Sequence, residues 1–266
     1  MSVWAVYALL VGASFRSRVQ YKRSFVLETL GRGALTGLEL LAIVFLFDHI
    51  DAIAGWTKWE VIYLFGAGNF ALGVAELATS GLNRMPELVR SGELDRVLVR
   101  PASTLAQVMA QDADFYNLGR LAQGMLVIIA ASWFGEFGLS VLDWLALAGS
   151  LICGAGVFAA LFITSASTCF WTINSGEAFN AFTYGGVQMV QFPLGVYPRA
   201  IGMLFVFMIP VGLALFYPAM AVFGRTDPLG APAFMPWLAP VAALVSLRLA
   251  IGYWRFGMSR FQSTGS

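Results

Sequence analysis

Charge is what this chain lacks most. Of 266 residues only 12% are charged while 59% are apolar, and the mean hydropathy is +0.75. A soluble globular chain is about half apolar and a quarter charged, so too little polar surface exists here to face water on all sides. Cysteine is also scarce. Cys153 and Cys169 share one apolar stretch, where sixteen residues of helix separate them by about 24 Å, too far for a disulfide. With one histidine, His49, beside Asp48 and Asp51 at the end of an apolar run, a zinc site would need ligands from elsewhere; His49 reads as an interfacial residue. No Ser–His–acid set and no HExxH can be assembled. The two lysines, Lys22 and Lys58, do not follow glycine, so the phosphate-binding GxxxxGK[ST] loop is missing and any driving nucleotide belongs to another polypeptide.

Long apolar runs are what the chain has. They are continuous, unlike the short alternating segments of a membrane β-barrel, and several approach the ~20 residues that cross a bilayer as a helix. The expected fold class is an all-α integral membrane protein, one domain over 1–266, with six spans at roughly 29–47, 60–82, 115–134, 143–171, 200–218 and 237–254. Pro210 should kink the fifth. Ahead of them, over about 1–23, Trp4, Ala8, Val11, Phe15 and Val19 recur at helical spacing, backed by Arg16, Arg18, Lys22 and Arg23. This is the pattern of an amphipathic helix lying in the interface, with an uncleaved signal-anchor as the alternative.

Placing both termini in the cytoplasm puts 14 of the lysines and arginines inside and leaves only Lys58 and Arg225 outside, as the positive-inside rule requires. The long inner loop at 83–114 is then cytoplasmic. The stretch 172–199 is expected to lie along the inner interface, and the proline-rich 219–236 to form short broken helices dipping into the outer leaflet.

Four ionisable residues fall within spans: Glu39, Glu76, Arg120 and Arg248. Such residues are functional suspects, but the last three lie close enough to the inner interface to snorkel. Glu39 stands near the middle of the first span, where it either pairs with a cation on another helix or faces a polar path. Gly33/Gly37 and the row Ala146, Ser150, Gly154 permit close helix packing, within one subunit or between two. The inner loop is the most informative segment. Pro86 suits the first turn of a short helix and Gly92 its end, and a second turn runs from Glu93 to Pro101. Two short helices with mixed charge and exposed leucines would suit a projecting knob that meets a soluble partner.

At this loop the run PELVRSGELDRVLVRP resembles the motif that follows the second span in bacterial ABC type-2 permeases. Phe170-Trp171-Thr172 is similar to that family's FWT, and Phe192 to Pro198 to its YPxxIYP element. Gly55-Trp56, Phe216-Tyr217-Pro218-Ala219 and the ending Arg260 to Ser266 continue the likeness in order. The resemblance implies an exporter core of two permeases, identical or paralogous, and two ATPase subunits that carry the ATP and magnesium. It implies no cofactor in this chain, no enzymatic activity by the chain alone, no nucleic-acid partner, and a place among the lipids of a bacterial cytoplasmic membrane. Pro86, Glu87, Arg90, Gly92, Leu94, Asp95, Arg96 and Pro101 would form or shape the ATPase contact. A largely apolar and aromatic path would suit an amphiphilic or hydrophobic cargo. Two other readings compete: a proton-coupled secondary transporter using Glu39 and Glu76, and a membrane-embedded enzyme, which lacks a catalytic cluster.

Overall fold

The computed structural model describes residues 22–100, 103–111, 117–172 and 176–261. The expected interfacial helix over 1–23 lies outside these residues, apart from Lys22 and Arg23, which open the first helix. Helices α1 (Lys22–Leu46) and α2 (Lys58–Thr79) are joined at what we term the distal face. There follow α3 (Met85–Arg90), α4 (Leu94–Leu98) and α5 (Thr104–Gln111) at the opposite, knob face. The chain then returns through α6 (Leu118–Phe134), α7 (Val141–Thr168), α8 (Gly176–Val190), α9 (Arg199–Met203), α10 (Tyr217–Val222) and α11 (Ala239–Arg260). Three helical stretches, Lys58–Arg90, Val141–Thr168 and Met235–Arg260, are long and apolar enough to cross a membrane. Two shorter apolar ones, Gly33–Leu46 and Leu118–Phe134, accompany them.

Helix α2 is the axis of the bundle because it is apolar on every side. Val61, Tyr63, Leu64, Phe65, Ala71 and Leu72 are all buried although they point around the full helical circle, as expected of a helix enclosed by others. Its neighbour α6 comes close through glycine. A Cβ at Gly124 would stand 2.6 Å from the Phe70 backbone nitrogen, and one at Gly73 only 3.0 Å from that of Leu121. The small residues noted in the sequence also pack within the chain. Gly37 faces Gln123 of α6, and a Cβ at Gly154 would meet Leu215 at 2.5 Å.

Helix α8 (Gly176–Val190) packs on α2 and α7. Midway along it Tyr184 bonds Glu76, and beyond its end Gly195 packs on Ala54 and Pro228 of the distal loops. The expected span 200–218 is broken at its expected kink into two arms, Arg199–Met208 and Gly212–Val222, bent by 86°. Pro210 sits in the break, where it has no N–H to donate and its ring obstructs the preceding turn. The flanking segments Leu204–Met208 and Gly212–Phe216 relax into π-helical turns. Both arms return to one turn at the distal face. Gly202 packs on Leu229, while Tyr217 donates to Asp227, whose carboxylate also accepts from the backbone N–H groups of Leu229 and Ala231. The bend itself reaches inward, with Val211 and Phe205 against Gly186.

Candidate functional site

The knob is built on a continuation of α2. A 3₁₀ turn, Ser80–Arg84, carries α2 directly into α3, so Lys58–Arg90 is one helical rod of 33 residues. Pro86 occupies the first turn of α3, and Ser91 closes it by donating from its N–H to the Glu87 carbonyl at 2.8 Å. Gly92 adopts φ +72°, the left-handed conformation that favours glycine, which reverses the chain into α4. The expected two short helices with Pro86 in the first turn and Gly92 at the end are therefore present.

Of their leucines, expected to be exposed, Leu98 is exposed while Leu88 and Leu94 are not. Met85, Leu88, Leu94 and Val97 form the inner face of the knob and are buried. Leu94 thus shapes the knob and cannot touch anything beyond it. Helix α5 holds the knob from behind: Gln107 donates to the Val97 carbonyl at 3.4 Å, and any side chain at Gly81 would overlap the Val108 carbonyl oxygen. What faces outward is Glu87, Arg90, Glu93, Arg96 and Arg100, around an apolar tip of Leu98 and Val99. Val99 is 84% exposed and no sequence pattern had singled it out. Arg84 pairs with Glu87 at 3.3 Å on this surface, and Asp95 is half-buried. Pro101 lies outside the described residues.

Behind the knob, polar groups tie the helices together. Glu76 of α2 is buried and accepts from Arg120 of α6 at 3.4 Å and from the Tyr184 hydroxyl of α8 at 3.1 Å. Arg120 also stands 5.9 Å over the Tyr184 ring. Glu76 and Arg120 therefore pair inside the bundle instead of snorkelling, because each neutralises the cost of burying the other. Arg248 is exposed on α11, and His49 is exposed at the end of α1. At the distal end of α2, Glu60 accepts two bonds from Arg225, at 2.7 and 3.1 Å, and one from the Thr57 N–H.

Glu39 has no ion pair among the described residues. It is exposed in a cleft of about 330 Å³ between α1 and the end of α8, together with Gln188 and Gln191. Among the described residues no group of acids, histidines and cysteines could hold a metal ion.

The sequence elements that had marked a family meet in space at the two faces. At the distal face Trp56 lies 5.3 Å from Phe216, and Gly195 of the Phe192–Pro198 element packs on Ala54. At the knob face Phe170 packs on Trp254 and Phe261, at ring distances of 5.1 and 5.8 Å. Motifs far apart in the chain thus contact one another.

An all-helical, largely apolar bundle, with Glu60–Arg225 and Glu76–Arg120 paired within it and a braced charged knob at one face, defines a multi-pass membrane permease. The chain belongs to the ABC-2 family of transporter proteins, whose family model matches residues 34–265. It is thus the membrane component of an ABC transporter, a family of transport components that are not themselves catalytic. No curated protein and no solved structure matches it.

Proposed function

We propose that this chain is the permease subunit of an ABC exporter, working with a second permease, identical or paralogous, and driven by two separate ATPase subunits that dock on the knob. The observation that carries this reading is the rod Lys58–Arg90. A partner that moves the knob acts on the central helix of the bundle, to which the knob is joined by a single 3₁₀ turn. The surface it offers is suited to docking, with a small apolar tip for burial and mixed charges around it to set register. Glu87, Arg90 and Arg96 contact the ATPase in this proposal, while Pro86, Gly92, Leu94, Asp95 and Pro101 shape the knob.

The chain crosses the bacterial cytoplasmic membrane six times, through α1, α2, α6, α7, α8 and α11, with both termini in the cytoplasm. The bent pair Arg199–Met208 and Gly212–Val222 then dips into the outer leaflet and returns. Arg199 moves to the outer side with Lys58 and Arg225, so thirteen basic residues stay inside and three lie outside, a balance that still fixes the orientation. ATP and magnesium bind on the ATPases. Their closure favours one arrangement of the permeases over another, and cargo leaves along the path between the two.

The test is recovery of the ATPase with the tagged chain in mild detergent. Wild type is expected to bring down a soluble ATPase, and Arg96→Glu/Val99→Asp, two changes on exposed positions, to lose it while eluting as a folded protein. Recovery of no ATPase by a well-folded wild type would sink the proposal. It would then turn attention to Glu39 as a proton carrier.

A further inference from the structure

Helix α1 turns a mostly apolar face outward. Leu35, Leu38, Leu41 and Phe45 are each at least half exposed, and Glu39 is exposed in their midst. A carboxylate facing hydrocarbon at that depth is costly, so this face is not a simple lipid surface. Glu39 opens into the cleft with Ile43 and Leu46 on one wall and Gln188, Gln191 and Phe192 on the other. Gln191 is 2% exposed, and its Nε2 has no hydrogen-bond partner among the described residues. An orphaned buried donor costs roughly 1–3 kcal/mol, and a site that keeps one is short of an acceptor. Among the described residues the cleft thus holds a carboxylate without an ion pair, an amide donor without an acceptor, and apolar walls. Its volume of about 330 Å³ is that of a small-molecule pocket.

We propose that this cleft is a cargo subsite for amphiphilic cations bearing a hydrogen-bond acceptor next to the charge. Glu39 neutralises the cation, Gln191 turns its amide to donate to the acceptor, and Ile43, Leu46 and Phe192 take the apolar body. Gln188, exposed at the rim, offers a second amide. This inference deepens the permease reading and rests on it.

The test is equilibrium binding to the full chain in nanodiscs of neutral phosphatidylcholine. The probes are rhodamine 6G, a cation with an ester carbonyl; tetraphenylphosphonium, a cation without an acceptor; and anilinonaphthalene sulfonate, an anion. Saturable binding of rhodamine 6G is expected, displaced by tetraphenylphosphonium and not by the anion. Glu39→Gln should weaken both cations by about tenfold or more, the size of one lost charge-assisted contact, and Glu39→Asp should largely retain them. Gln191→Leu should weaken rhodamine 6G alone. Ala42→Trp, a change at an exposed cleft position that leaves Glu39 and Gln191 in place, should abolish both. Unchanged binding in Glu39→Gln or Ala42→Trp overturns the assignment, as does the absence of saturable binding. Efficient disulfide capture of a second copy through Glu39→Cys, with no cation binding, would instead make this face a subunit contact. Because binding needs no ATPase, failure here and failure of ATPase recovery are separate outcomes.

Discussion

Arg225 reaches across 165 positions of sequence to place its Nη2 2.7 Å from Oε1 of Glu60. The two ends of the pair differ. The Glu60 side chain is 8% exposed, whereas that of Arg225 is 31% exposed. The pair joins the start of α2 to the loop that follows the bent arms, and so fastens the distal face to the central helix.

That inequality predicts unequal mutants. Arg225→Met leaves a carboxylate buried without its cation and should cost about 2–4 kcal/mol. Glu60→Gln leaves a cation that can still reach water and should cost clearly less. Thermal unfolding of the two purified variants in one detergent tests the order, and an equal or reversed loss would refute it.

Close packing of α2 on α6 predicts a contrast between two glycines. Gly124→Val drives a side chain into the Phe70 backbone, whereas Gly149→Val enters open space. Overpacking of this kind costs roughly 1–3 kcal/mol or more. The first variant should lose melting temperature and detergent-extractable yield, and the second should match wild type. Similar behaviour of the two would mean that the helices can part at that point.

The proposed crossing of α8 predicts which residues can be labelled from which side. In a variant with Cys153 and Cys169 replaced, Asp51→Cys and Arg199→Cys should react with a membrane-impermeant maleimide from the periplasm. Arg90→Cys should react only after the cells are opened. Labelling of position 199 from the cytoplasmic side alone would restore the segment 200–218 as a crossing.

Much of the bundle was legible because hydrophobic runs report spans directly. α2, α6, α7 and α11 lie within a few residues of the expected segments. The knob was legible because Pro86 and Gly92 are local punctuation. The region after α7 was less legible. α8 carries Asn180, Thr183, Tyr184 and Gln188, too polar to read as a span, although one side of it packs on α2, α7 and the bent arms. The apolar 200–218 reads as a span because burial against protein and burial in lipid ask for the same residues, and only its kink at Pro210 was marked. That Leu88 and Leu94 turn inward was not legible either, since a leucine in a charged loop gives no sign of which way it faces. Nothing local could reveal that Glu60 pairs with Arg225 or that Glu76 pairs with Arg120. Those partners are set by how distant helices pack.

The uninterrupted course from Lys58 to Arg90 has a mechanical meaning. A helix of 33 residues is about 50 Å long, so a tilt of about 5° pivoted at one end carries the other through roughly 4 Å. The same rod holds the bent arms through Glu60 and Arg225. In the proposed transporter the rod would act as a lever: pivoted near its middle, it would answer a small push at the knob with a displacement of comparable size, and opposite direction, at the distal face. Softening the rod at Ser80–Arg84 would uncouple the two ends without removing either.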